Sequence, residues 1–181
     1  MRKADVTTKW KGTEMLQAKW IFGIGEGFEE IKAVRTAVFV EEQGYSLEEE
    51  FDAGDDYAWH ALITYDGTPI ATGRLYIDKG RYTLGRICVG KEYRGQNVGD
   101  LVVRLLLDRA LQTEAEGVYL SAQEYAVGFY EKFGLRPVGE PHMGEGEHIP
   151  HVDMYAPRAA IVFPRACEGC ANKDNCGIGE E

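Results

Sequence analysis

A glycine-containing turn is the first place where this sequence could bind an anion. It reads Arg94-Gly95-Gln96-Asn97-Val98-Gly99-Asp100 and lies between a predicted strand and a predicted apolar helix. Backbone amides converge at the start of a helix and the helix dipole favours negative charge there, so a pyrophosphate group fits this position. The alternative is an ordinary strand-to-helix loop, because short glycine motifs are common by chance.

Two carboxylates and a histidine could move protons. Glu41 and Glu42 follow Val38 by three and four residues, so they are predicted to continue the apolar stripe of the first helix toward the sheet. Carboxylates at a helix C-terminus call for a compensating cation, which an acceptor amine could supply; a frayed, solvated helix end is the alternative. His151 is the other candidate base, because histidine is the usual proton-transfer residue, although a lone strand histidine is more often structural.

Three cysteines crowd into the end of the chain. Cys167, Cys170 and Cys176 form a C-x2-C-x5-C pattern, in which the first two thiolates can hold one metal ion and the third can fold back onto it. Zinc or an iron-sulfur cluster would then need a further ligand: His142, His148, His151, Cys88 or a second chain. The alternative is a tail whose reduced cysteines bind no metal.

Composition narrows the class of protein. The chain has 181 residues, a net charge of -10 and 44% hydrophobic residues, which fits one globular domain and disfavours a nucleic-acid partner. No segment approaches the roughly 20 apolar residues that span a bilayer, so we expect no membrane partner and a cytoplasmic location. A homodimer is left open, since no stretch of the sequence indicates an interface.

Hydrophobic periodicity predicts a mixed α/β order. Residues 1–18 are expected to form an extension, 19–158 the domain and 159–181 a cysteine-rich tail. A helix is predicted from Gly27 to Gly44, another from Val98, and a short one over Val127–Phe133. Strands are predicted over 20–24, 57–65, 69–78, 82–89, 117–123, 135–138 and 149–155. Asp52 and Asp55 could shape an acidic acceptor pocket or lie in an acidic surface loop, and Cys88 is expected in the core.

Three segments resemble the GNAT N-acetyltransferases. Residues 94–99 resemble the Gln/Arg-x-x-Gly-x-Gly/Ala acyl-CoA signature, with Asn97 in place of its first glycine. Asparagine tolerates left-handed backbone angles better than most residues, so the turn is expected to survive. Residues 84–89 resemble the family's central strand and residues 128–135 its F-Y-x-x-x-G-F segment.

Within that superfamily the ElaA-like branch is the most similar. The residues that carry this similarity are Arg35, the run 38–44, Glu50, Phe51, Asp52, Asp55, His60, Ala122, Gln123 and the tripeptide 149–151. The resemblance implies an α/β (α+β) GNAT fold: a mixed, mostly antiparallel sheet of about six or seven strands flanked by about four helices.

The resemblance also implies direct transfer from acetyl-CoA to an amine acceptor. A bulge near Cys88 and Val89, in the central strand that includes Ile87, is expected to free a backbone N–H for the thioester carbonyl. Tyr130 takes the position of the tyrosine that donates a proton to the CoA sulfur, and Phe133 would pack on the cofactor arm. Two other functions stay open: a metal or redox sensor that binds CoA without turnover, and a relative of the acyl-homoserine-lactone synthases.

Overall fold

The computed structural model describes residues 15–143 and 148–164. Seven strands occur in these residues: β1 (Leu16–Phe22), β2 (Trp59–Tyr65), β3 (Thr68–Asp78), β4 (Arg81–Val89), β5 (Gly117–Gln123), β6 (Arg136–Pro137) and β7 (His151–Pro157). The α-helices of the same residues are α1 (Phe28–Arg35), α2 (Leu47–Glu50), α3 (Val98–Leu111) and α4 (Val127–Glu131). The predicted fold class is confirmed: a mixed, mostly antiparallel seven-stranded sheet with four helices.

The strands form one sheet in the order β1-β2-β3-β4-β5-β7-β6. Every neighbouring pair is antiparallel except β4 and β5, which run parallel and pair only at Thr83–Tyr119 and Leu84–Leu120. Beyond these two pairs the strands diverge toward their C-terminal ends. The sheet is therefore split at its centre.

Helices cover the sheet unequally. The apolar face of α3, with Val102, Leu106 and Leu107 fully buried, packs on β2, β3 and β4 and forms most of the core. On the opposite face α1 packs on the same three strands. Farther along, that opposite face stays open to solvent, because Ser121 of β5 and Asp153 of β7 are both exposed.

The first helix changes its geometry before it ends. Residues Thr36–Glu42 continue α1 as a π-helix, called the π turn below, and the chain leaves it at Gly44 with φ +83°. Hydrogen bonds from residue i to i+5 widen this turn, so the spacing of an ordinary α-helix does not apply to it. This is why sequence periodicity misplaces the side chains at its end.

The described structure adds residues on either side of the predicted domain 19–158. β1 begins at Leu16, inside the segment predicted as an extension. At the other end, Ile161 packs against the core and Val162 N–H donates to Phe133 O at 3.1 Å, so the segment just after 158 docks on the domain. The helix α2 and the 3-10 turn Ala53–Tyr57 were not predicted.

Candidate active site

A cleft of about 680 Å³ occupies the split between β4 and β5. Its walls come from the second half of β4, the end of β5, the π turn, the loop before α3, and α4. Most of the residues expected to bind a cofactor line it: Ile87, Cys88, Val89, Arg94, Gly95, Asn97, Val98, Gly99 and Asp100. Gln96 does not line the cleft; it is half-buried and donates its amide to Glu92 O at 3.0 Å.

A bulge in β4 prepares one wall of the cleft. Thr72 pairs with Cys88 but Arg74 pairs with Gly85, so the extra residue lies between Gly85 and Cys88, upstream of the predicted Cys88–Val89 position. Arg86 takes up the distortion with φ +51°, which is unusual for a residue with a side chain.

One backbone amide at the end of β4 is directed into the split. Gly90 N–H donates to Ile70 O at 2.8 Å, so the next pair inward, Val89 and Ala71, is a pair without ladder hydrogen bonds. The N–H of Val89 therefore points away from β3 and toward the cleft. The expectation of a free amide in this region agrees with the register of the strands.

The loop before α3 has the shape of an anion site. Asn97 adopts φ +62° and ψ +13° as the N-cap of α3, which confirms that asparagine can replace glycine in this left-handed turn. The first amides of an α-helix have no acceptor within the helix, so those of Val98, Gly99 and Asp100 are available. Together with the helix dipole they favour a phosphate group at the end of the cleft.

Tyr130 of α4 lies at the base of the cleft. Its side chain is 8% exposed, and no hydrogen bond to its hydroxyl occurs in the described part of the chain. Burial raises its pKa, so the hydroxyl stays protonated at neutral pH. The group is thus a proton donor without a partner.

The two phenylalanines near Tyr130, Phe129 and Phe133, do not lie where the sequence predicted. Phe133 is fully buried in the core and does not line the cleft, because it faces the sheet and not the split. Phe129, one turn earlier, lines the cleft, and its ring lies 5.0 Å from that of Tyr130. Phe129 therefore occupies the position expected for Phe133 beside a cofactor.

Only one of the two candidate carboxylates lines the cleft. Glu41 is exposed and does not line the cleft, contrary to its predicted orientation, because the π turn alters the angular spacing after Val38. Glu42 does line the cleft, but its two oxygens accept hydrogen bonds from Nη1 and Nη2 of Arg94, both at 2.7 Å. The bond from Arg94 lowers the pKa of Glu42, which makes its carboxylate a weaker base.

His151 stands at the start of β7, opposite Gln123 of β5. It lines the cleft half-buried, and its Nδ1 is 2.8 Å from Ile149 O. Gln123 donates its amide to Gln43 Oε1 at 2.8 Å, which ties the end of the π turn to β5. The structure therefore places His151, and not Glu41, in the lining of the cleft.

A buried charge network supports this wall. Arg35 donates from Nε to Glu50 Oε1 at 2.6 Å and from Nη1 to Asp55 Oδ1 at 2.7 Å, with all three side chains 1–4% exposed. Arg74 joins Asp55 to Asp52, which it contacts through both Nη atoms at 2.8 Å. Both alternatives for Asp55 are thus wrong, because this carboxylate is buried and neutralised by arginines.

The network also fixes the bulge. Arg86 donates through Nε to Glu50 O at 3.0 Å and through Nη2 to Asp52 Oδ2 at 3.0 Å. Burial raises the pKa of Glu50 in spite of Arg35. Burial acts in the same direction on Asp55, but hydrogen bonds from Arg35 and Arg74 outweigh it and lower the pKa of that carboxyl.

The cysteines give no further chemistry in the described residues. Cys88 is buried against Val34 and Val38, as expected, and burial raises the pKa of its thiol. Cys167, Cys170 and Cys176 lie outside the described residues. Within residues 15–143 and 148–164, no group of three metal-ligating side chains is close enough to hold an ion.

No helix in the described ranges combines the length and apolar character needed to cross a membrane.

Comparisons with known proteins identify the family to which this split sheet and its cleft belong. The model of the acetyltransferase (GNAT) family matches residues 27–135. The uncharacterized N-acetyltransferase YjcF of Bacillus subtilis is 38% identical over 122 residues, which cover 67% of this chain and 86% of YjcF. ElaA of Escherichia coli is 33% identical over 132 residues, covering 67% of this chain and 81% of ElaA.

Solved structures agree with these relatives. The crystal structure of Escherichia coli ElaA matches with a TM-score of 0.68 and 26% identity, over 78% of this chain and 99% of that one. An acyl-CoA N-acyltransferase from Pseudomonas aeruginosa matches with a TM-score of 0.67 and 26% identity, over 77% and 99%. The chain belongs to the GNAT acetyltransferase family, and ElaA and YjcF are among its homologues.

Proposed function

We propose that the protein transfers an acetyl group from acetyl-CoA directly to an amine acceptor. The observation that carries this proposal is the hydroxyl of Tyr130, which has no hydrogen bond among the described residues and lies at the base of a cleft that reaches the N-terminus of α3. A protein that only binds CoA needs the helix end but has no use for a proton donor at the split.

The residues present fit the cosubstrate. The amides of Val98, Gly99 and Asp100 supply donors for the diphosphate, and the left-handed Asn97 leaves the loop in the required shape. The split between β4 and β5 accommodates an extended arm, and Phe129 offers an apolar wall. The acyl carbonyl would then lie near the N–H of Val89.

In the proposed reaction the acceptor nitrogen attacks the thioester carbon. The N–C bond forms as the carbonyl π electrons move onto oxygen, and the N–H of Val89 stabilises that oxyanion. His151 takes the proton that the amine loses. The C–S bond then breaks, and the sulfur leaves with the electron pair.

Tyr130 donates its proton to the leaving sulfur. A phenol with an unperturbed pKa of about 10 is a weaker acid than a thiol with a pKa of about 8.5, so full transfer in water would be uphill by about 2 kcal/mol. Burial disfavours both the phenolate and the thiolate, so it does not by itself make full proton transfer downhill. The hydroxyl thus acts through a hydrogen bond that strengthens as charge develops on sulfur.

Three measurements test the proposal together. Isothermal titration of freshly purified protein with CoA and acetyl-CoA measures binding. A thiol-release assay over a panel of amines measures turnover, and mass spectrometry of the product separates simple acetylation from lactone synthesis. Tyr130→Phe is expected to lower kcat by about 10²–10⁴-fold with little change in the Kd for CoA.

The matched control is Tyr155→Phe, which removes a tyrosine hydroxyl that does not line the cleft. It should behave like the wild type. If millimolar acetyl-CoA does not bind, the cosubstrate proposal is wrong. If Tyr130→Phe retains full turnover, the acid has been misassigned.

A further inference from the structure

The ion pair between Glu42 and Arg94 spans the mouth of the cleft. Arg94 Nε donates to Val89 O at 2.9 Å, while Nη1 and Nη2 meet the two oxygens of Glu42 at 2.7 Å. The guanidinium edge that could grip an anion in bidentate fashion is therefore occupied by a carboxylate of the protein itself.

Arg94 is also the first residue of the loop that forms the anion site. Gly95, Asn97 and the start of α3 follow it, and Arg94 and Glu42 both line the cleft. If acyl-CoA binds as proposed above, on which this inference rests, its diphosphate approaches the same end of the cleft. Arginine forms bidentate pairs with phosphate as readily as with carboxylate, so the two anions compete.

The exposure of the pair indicates that its interaction is weak. The side chains of Arg94 and Glu42 are 41% and 35% exposed, whereas those of the Arg35 pairs are 1–4% exposed. An exposed ion pair holds its partners by a factor of only about two to five, so a doubly charged ligand can replace it. The π turn would remain tied to β5 through Gln43 and Gln123.

We propose that Glu42 is a positioning residue that occupies Arg94 until the cofactor diphosphate replaces it, and that it thereby sets the affinity for acyl-CoA. The carboxylate acts through the arginine and does not take the substrate proton. Its removal should strengthen cofactor binding, which is the opposite of what the loss of a general base would do.

The test compares Glu42→Gln with Glu41→Gln by titration with CoA and with pantetheine, which lacks the diphosphate. Glu41 is the matched control because it carries the same charge one residue earlier, exposed and outside the cleft. We expect Glu42→Gln to lower the Kd for CoA about two- to fivefold relative to Glu41→Gln, with no such gain for pantetheine. In an Arg94→Gln background the gain should vanish.

A kinetic readout separates this role from general-base catalysis. With a reactive amine, the KM for acetyl-CoA should fall in Glu42→Gln while the pH profile of kcat keeps its shape. Any of three results would overturn the inference: equal CoA affinity in the two variants, weaker CoA binding in Glu42→Gln, or an equal gain in affinity with pantetheine. None of them would contradict the acetyltransferase proposal. If the wild type itself fails to bind CoA, both fall.

Discussion

Replacing Arg35 by methionine should destabilise the fold severely, although no part of Arg35 lines the cleft. The substitution keeps an unbranched apolar side chain but removes the guanidinium group with its hydrogen bonds to Glu50 and Asp55, which are 2.6 and 2.7 Å long. The carboxylates of Glu50 and Asp55, each 4% exposed, would then lose one of the positive charges that neutralise them. Removing one partner of a buried ion pair costs about 3–5 kcal/mol, a large share of the 5–15 kcal/mol by which a domain is stable.

The burial of Glu50 determines how the expected loss of stability in Arg35→Met depends on pH. Burial raises the pKa of Glu50 even with Arg35 present, and removal of Arg35 would raise it further. A carboxyl whose pKa is higher in the folded state contributes stability below its unfolded pKa and loses it as the pH rises through the folded value. Arg35→Met should therefore be closer to the wild type at pH 5 than at pH 8.

Urea unfolding followed by circular dichroism at both pH values measures this loss. Glu42→Gln is the control, because it breaks arginine–carboxylate hydrogen bonds of similar length, 2.7 Å, at 35–41% exposure, and it should cost less than about 1 kcal/mol. Adding Glu50→Gln to Arg35→Met should recover part of the stability by removing the stranded charge. A loss below about 1 kcal/mol at pH 8, or one equal to that of Glu42→Gln, would refute the reasoning.

Three further substitutions or treatments probe other parts of the structure. Gly134→Ala should cost roughly 2–4 kcal/mol in urea unfolding, because Gly134 has φ +90° and an added Cβ would lie 1.9 Å from Ala160 O; a stable variant would mean that the segment after β7 is not docked there. Asn97→Gly should bind CoA within about twofold of the wild type while Asn97→Ala binds more weakly, since alanine tolerates the left-handed turn poorly; equal binding by all three in calorimetry would contradict this reading. Iodoacetamide at pH 8 should label the Cys88 peptide only on unfolding, as mass spectrometry can follow, because burial raises the pKa of that thiol; labelling of the native protein within minutes would contradict its burial.

The strands and the long helix could be read from the sequence because their signals are local. The turn residues on either side of β3 and the broad apolar face of α3 are each signals within one short segment, and β5 was predicted with its observed limits. The conformation of Asn97 was also foreseeable, because the tolerance of asparagine for positive φ is a property of one residue.

The failures share a different cause, since they depend on contacts between distant segments. Arg35, Glu50 and Asp55 were noticed as separate members of a resemblance, but nothing local shows that residues 15 and 20 positions apart form one buried network. The spacing of Glu41 and Glu42 was read as α-helical, and the π turn invalidated that spacing. Phe129 lies in α4 and Phe133 in the turn that follows it, so only the packing of this segment on the sheet decides which ring reaches the cleft.

Because β4 and β5 separate after two residue pairs, the sheet has two inner strand edges in addition to its two outer edges. Each inner edge carries unpaired peptide groups, which in an outer strand would invite another chain to add itself and aggregate. Here the π turn, the loop before α3 and α4 surround the space between the two strands, so another strand entering it would meet their side chains. The residues that line the cleft thus also shield the backbone of β4 and β5 from a second chain.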